Sequence, residues 1–307
     1  MGSFKIGHYS NKNKGTGCTV ILCPAESKAS AHARGISPGT REYALLSPYR
    51  KMEGINALLL TGGSAFGLDA AAGIMRFLSE RDIGYYTPYK KIPIVPAAVI
   101  FDLPVIDSQI FPTADDAYDA CQNARVGNRE QGTVGAGTWA TVGKWAGIEH
   151  IMKGGIGLAQ LQDGDLKVEV LSVVNPVGDV VDQTGRIIAG ARKDGKFLAK
   201  ENLTKPWITP AFDLERNTIL GAVMTNAILT KQQLFYLAER SHNGIVRSVV
   251  PAHTSYDGDI IFTLSMPEVE VKIDLITEMA IEAMSQSIVN GVTQATSLGG
   301  IPSINNS

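Results

Sequence analysis

The chain has 307 residues, with 28 Lys and Arg against 30 Asp and Glu, a net charge of −2. Its 44% hydrophobic and 19% charged residues supply enough apolar matter for a sizeable core and exclude disorder as the main state. The even charge balance and pI ≈ 6.2 exclude a grip on nucleic acid as the main function, because phosphate binding needs clustered Lys and Arg.

In chain order, residues 18–23 (CTVILC) and 56–60 read as short β-branched strands. Cys18 and Cys23 lie five apart and so face opposite sides of such a strand. With Cys121 they make three cysteines, too few for a disulfide scaffold, and buried reduced thiols in a cytoplasmic setting are expected. Residues 66–80 read as a helix capped by Ser64. Residues 92–106 are the most apolar stretch, but with Pro93, Pro96 and Pro104 they are too short to span a bilayer, so no membrane is expected. Residues 113–124 read as a helix opened by Thr113, Asp115 and Asp116. Strands follow at 168–175, 218–225 and 259–264, and amphipathic helices at 230–249 and 274–294, the last with Asp274 as its cap. The elements do not alternate as βαβ units, so α+β layers are expected. Residues 192–217 carry ten charges in 26 positions, with Pro206 and Pro210, and read as an exposed loop ending abruptly at Asn217-Thr218. Chain cleavage there need not unravel a fold.

Several residues are candidates for chemistry. If the Asn217–Thr218 bond is cut, Thr218 gains a free α-amine with a reference pKa of roughly 7.7–8.0. One residue then supplies nucleophile and base together. Asp257-Gly258-Asp259 reads as a hairpin turn; two carboxylates one residue apart also suit orienting a hydroxyl or holding an ammonium. Lys144 sits among small and apolar residues, either snorkelling at a rim or acting as a cation in a pocket. Asn175 precedes Pro176 and reads as a turn initiator, or as an amide donor to an oxyanion. The 32 glycines cluster at 62–63, 132–147 and 154–157, predicting that many segments crowd near one place. Gly135-x-Gly137 lacks the preceding strand that a dinucleotide site requires. Gly62-Gly63-Ser64 is a partial serine-hydrolase elbow, which with His253 and Asp257 gives a rival triad. Five scattered histidines with no CxxC or HExxH give no support for a metal.

No single signal is specific, but their order is. The segments 16–20, 35–42 (GISPGTRE), 60–70 (LTGGSAFGLDA), 94–102, 135–145 (GAGTWATVGKW), 153–157 (KGGIG), 174–179 (VNPVGD), 217–231 and 257–259 (DGD) together resemble the L-aminopeptidase/D-esterase family. That family includes β-peptidyl aminopeptidases and 6-aminohexanoate-oligomer (nylon-oligomer) endohydrolases. The resemblance implies one αββα sandwich domain over residues 1–307, like N-terminal-nucleophile hydrolases. It implies self-cleavage into 1–217 and 218–307, with Asn217 ending the large chain and Thr218 as the nucleophile. It places Asn175 at the oxyanion site, Lys144 in the pocket, and Asp257 and Asp259 as the pair orienting the nucleophile. No cofactor or metal is implied, and the partners the resemblance implies are a small peptide or amide substrate and further copies, as a tetramer of processed pairs. The apolar Pro96-Ala97-Ala98 and Phe101 depart from acid- and Tyr-bearing relatives, favouring longer aliphatic ω-amino substrates slightly. An acyltransferase of the same architecture and an unprocessed, non-catalytic relative are the alternatives.

Overall fold

A computed structural model describes residues 4–103, 109–199 and 217–306. Ten strands build two five-stranded sheets. They are β1 (Lys5–Asn11), β2 (Thr16–Leu22), β3 (Lys28–Ala33), β4 (Thr40–Arg41), β5 (Ala57–Thr61), β6 (Ala97–Val99), β7 (Gly155–Asp163), β8 (Leu166–Asn175), β9 (Thr218–Ala227) and β10 (Ile260–Val269). The first sheet runs β1-β2-β5-β6-β4 and the second β3-β10-β9-β8-β7.

Three apolar layers hold the sheets and helices together. Ile21, Leu58, Leu60 and Ile100 of the first sheet meet Leu171, Leu220, Phe262 and Leu264 of the second. The outer face of the first sheet packs on α1 (Ala71–Ser79) and α2 (Ala114–Gln122) through Cys18, Val20, Ile74 and Ala117. The outer face of the second packs on α3 (Lys231–Ser248) and α4 (Ile273–Thr293) through Val170, Val223, Leu237 and Met284. Helix, sheet, sheet, helix is the expected αββα order.

Local chemistry explains much of this. All ten residues of β9 are buried, which is why its sequence reads as an apolar run rather than alternating. It is parallel to β10 and antiparallel to β8, and α3 makes the crossover that a parallel pair requires. In β2 the faces alternate, so Cys18 enters the outer layer and Cys23, just past the strand, leans on the inner one. Thr113 and Asp116 close a capping box on α2, and Thr230 and Gln233 do the same on α3.

Two expectations need correction. Ser64 caps no helix. Gly63 takes that place in a left-handed conformation, Ser64 itself has φ 52°, and a 3-10 turn over Ser64–Ala70 precedes α1. Lys272 rather than Asp274 is the N-cap of α4, and Asp274 lies in the first turn, where it faces the positive helix end. The glycines at 154–157 divide: a Cβ on Gly157 would come within 1.7 Å of the Ser287 carbonyl of α4, while one on Gly154 would fall 2.0 Å from the Val174 carbonyl, beside Asn175. Ala97 and Ala98 lie in β6, buried in the outer and inner apolar layers respectively. The expected exposed loop over 192–217 is described only at its start, where Arg192–Lys193 pairs with Lys196–Phe197; residues 200–216 lie outside the described residues. Among the described residues no helix is long and apolar enough to cross a membrane.

Candidate active site

The sheet register brings the predicted residues together. Thr218 is the first residue of β9 and pairs directly with Asn175, the last of β8. Asn217, just before it, bridges to Asp257 in parallel fashion, and Gly258 and Asp259 lead into β10. The hairpin reading of Asp257-Gly258-Asp259 therefore fails. The strand it opens runs alongside β9, and the segment lies against the start of that strand.

Thr218 is 6% exposed. Its hydroxyl donates to the carbonyl oxygen of Asn217, one residue back. The same oxygen accepts the Gly258 N–H at 2.8 Å. Two donors thus draw electron density from the carbonyl of the Asn217–Thr218 bond. Gly258 is required for this closeness. A Cβ there would fall 2.9 Å from Thr218 Oγ1 and 2.6 Å from the Ser37 carbonyl oxygen.

The carboxylates divide their work. Asp259 is 1% exposed, and its Oδ1 accepts the N–H of Ile219 at 2.6 Å. Asp257 Oδ2 accepts from the N–H and hydroxyl of Thr254, at 2.9 and 2.6 Å, and Oδ1 from the Val177 N–H. Burial and then the neighbouring Asp259 charge push the Asp257 pKa up to about 6.

Lys144 does not snorkel outward. Its Nζ lies within 2.6–3.1 Å of the carbonyl oxygens of Thr141, Asn175 and Pro176 and of Asn175 Oδ1. Burial pulls its pKa down to about 7 against the opposing pull of Asp257. Asn175 is fully buried and held at both ends of its amide. Oδ1 accepts the Thr141 N–H at 3.0 Å, and Nδ2 donates to the Phe101 carbonyl at 3.2 Å.

The rival Ser64 triad is not assembled. His253 Nδ1 lies 2.7 Å from Asp259 Oδ2, and Asp257 is occupied by Thr254. The turn over Gly135–Gly137 follows extended Val134 outside any strand, as expected for a non-nucleotide loop.

Sequence reasoning missed three neighbours. The Gly258 N–H left no trace because a backbone donor has no residue signature. Asp102, buried and raised to about 6 by that burial, accepts the Gly63 N–H at 2.7 Å. Lys153, fully buried and lowered to about 7, donates to the Thr138 and Ala140 carbonyls just before Thr141. The signal for Lys153 was a lone lysine in KGGIG. Among the described residues no cluster of His, Cys, Asp or Glu could hold a metal ion.

Comparison with known proteins identifies the family and the fold. The model of peptidase family S58 matches residues 2–304. An uncharacterized aminopeptidase of Mycobacterium tuberculosis is 35% identical, covering 98% of this chain and 95% of that protein. A 6-aminohexanoate-oligomer endohydrolase of Paenarthrobacter ureafaciens is 31% identical over 83% of this chain and 71% of that protein. Among solved structures, the L-aminopeptidase D-Ala-esterase/amidase of Ochrobactrum anthropi, described as a variant of the Ntn-hydrolase fold, superposes with a TM-score of 0.74. That match is at 19% identity and covers 98% of this chain and 86% of that one. A β-aminopeptidase of a Burkholderia species superposes at 0.69 and 20% identity, over 95% and 85% of the two chains.

Proposed function

We propose, from the premise that this chain belongs to peptidase family S58, that Thr218 is the nucleophile of a self-processing amide hydrolase. The family makes the chain a hydrolase of amide bonds; the threonine and its processing are our reading. One observation carries it: the Thr218 hydroxyl rests on the Asn217 carbonyl, which the Gly258 N–H also holds at 2.8 Å.

Processing begins when Thr218 Oγ attacks the Asn217 carbonyl carbon. The C–N bond breaks, the hydroxyl proton passes to the departing nitrogen, and Asn217 becomes an ester on Thr218. Water hydrolyses that ester, leaving a carboxylate on Asn217 and a free amine on Thr218. In turnover this amine takes the hydroxyl proton as Oγ attacks a substrate amide. The leaving amine departs, and water releases the acyl group. The Gly258 N–H, vacated by the old carbonyl, and the second N–H of the Asn175 amide supply the oxyanion donors. Lys144 fixes Asn175, and Asp259 fixes the first peptide of β9. No step calls on a cofactor.

The substrates are small peptides or ω-amino-acid oligomers, in keeping with what the relatives' names record. The processed pairs assemble further, as a tetramer. Intact mass decides the central point. By length, 217/307 and 90/307 of 32.8 kDa give pieces of about 23 and 10 kDa, the smaller beginning at Thr218. Thr218→Ala stays whole and inactive. A variant that still splits at 217–218 would sink self-cleavage by Thr218. Release of amine from peptide amides and from 6-aminohexanoate oligomers, compared side by side, then sorts the substrates.

A further inference from the structure

We propose that His253 is a positioning residue for this hydrolysis, donating from Nδ1 to Asp259 and thereby fixing the carboxylate that holds the Thr218 strand. The inference rests on Thr218 being the nucleophile.

The contact is short and enclosed. Nδ1 and Oδ2 are 2.7 Å apart, with the imidazole side chain 10% and the carboxylate 2% exposed. A carboxylate offers only acceptors, so the shared proton is assigned to Nδ1. The other oxygen of Asp259 takes the Ile219 N–H at 2.6 Å. Ile219 directly follows Thr218. A continuous line therefore runs from the imidazole through both carboxylate oxygens to the peptide joining Thr218 to Ile219. Rotation of the carboxylate would turn that peptide plane, and with it the bond that aims the Thr218 hydroxyl.

The surroundings fit a part held in place. His253 adopts a left-handed backbone, φ 56°, a region uncommon for residues with a Cβ though one that His enters more readily than most. Such conformations concentrate where geometry matters to function. Behind its ring stands the edge of His242, 4.9 Å away between centroids, and His242 is anchored by Nε2 on the His32 carbonyl oxygen at 3.0 Å. Burial keeps His242 neutral, with its pKa pushed down to about 3, so it backs the ring without adding a competing charge. Without a donor at the Nδ1 position, Asp259 would keep a buried oxygen lacking a partner, and its hold on Ile219 would loosen.

The test uses the full chain and three substitutions. In His253→Asn the side-chain amide nitrogen sits where Nδ1 was, and Asn tolerates the left-handed backbone. Self-cleavage and kcat should stay within about threefold of wild type. His253→Asp has the same shape but offers an acceptor to an acceptor. Cleavage and kcat should fall by at least about tenfold, with KM unchanged because His253 touches no substrate. His242→Phe keeps the ring wall and should process at the wild-type rate. Should His253→Asp fail to show a cooperative melting transition, His253→Ala, which lacks any donor, replaces it with the same expected loss. Equal rates in the Asn and Asp variants overturn the proposal, whether both are fast or both slow. A wild-type chain that stays whole sinks the Thr218 reading and this one with it; a wild type that splits while His253→Asp splits equally well sinks this one alone.

Discussion

Two strand ends in this molecule carry a hydroxyl residue next to a backbone N–H held by a buried carboxylate, and one of the two is arranged for attack. At the end of β5, Ser64 sits in a left-handed conformation, its N–H given to the Ile100 carbonyl. The nearby carboxylate, Asp102, is committed to the Gly63 N–H. At the start of β9, the Thr218 hydroxyl meets an amide carbonyl already polarised by a second donor. His253, the base that a Ser64 triad would need, is bound to the carboxylate serving Thr218. A sharp turn and an acid do not make a nucleophile. The hydroxyl must have an electrophile within reach, and that electrophile must be activated.

The comparison breaks most plainly if the hydroxyls are removed in turn. Thr218→Ala should abolish both processing and turnover, read as a single mass of 32.8 kDa. Gly258→Ala should come next. Its methyl pushes on Thr218 Oγ1 and Ser37, and a displacement of this kind costs on the order of a hundredfold in cleavage rate, measured by the appearance of the small piece. Asp259→Ala removes the acceptor of the Ile219 N–H and should slow cleavage by at least about tenfold. A wild-type rate with a stable fold would reduce the Asp257-Gly-Asp259 segment to a structural turn.

A smaller effect follows from Lys144. With its pKa lowered from 10.5 to about 7, it is an ammonium below that pH and an amine above it. The ammonium brings three N–H donors to four acceptors, and the amine brings two. Cleavage should therefore decline as pH rises through about 7, and Lys144→Met should lose that decline while being slower throughout. The smallest effect is expected at the other strand end: Ser64→Ala should process within about twofold of wild type. If it stalls while Thr218→Ala still splits, the two ends have been read the wrong way round.

What the sequence disclosed was what its own short-range chemistry determines. The apolar run of β9, the opening of α2 at Thr113 and its acids, and the two faces of β2 each depend on neighbours a few residues away. The residues of the site came from the order of motifs along the chain, and the fold sets Thr218, Asn175, Asp257, Asp259 and Lys144 around one point. The errors fell where distant parts decide. Ser64 lost its capping role because Gly63, whose N–H Asp102 holds from 39 residues away, takes the N-cap place of a 3-10 turn that already includes Ser64. Asp257-Gly-Asp259 looked like a hairpin because nothing nearby shows that the next strand runs parallel to β9. His253 was noticed for the wrong serine, since its partner is chosen by the fold.

The order of the second sheet carries one more consequence. β9 and β10 lie after residue 217, and they are flanked on one side by β3 and on the other by β8 and β7, all before it. Were the 217–218 bond cut, the small piece would be clasped between two arms of the large one and would stay in place although nothing covalent joined them. What folded as a unimolecular event would have to re-form as a bimolecular one, at a rate that scales with concentration. The mature protein would then owe its assembly to a connection it no longer possesses. Diluted after denaturation it should recover poorly, where the uncut Thr218→Ala chain recovers without regard to dilution.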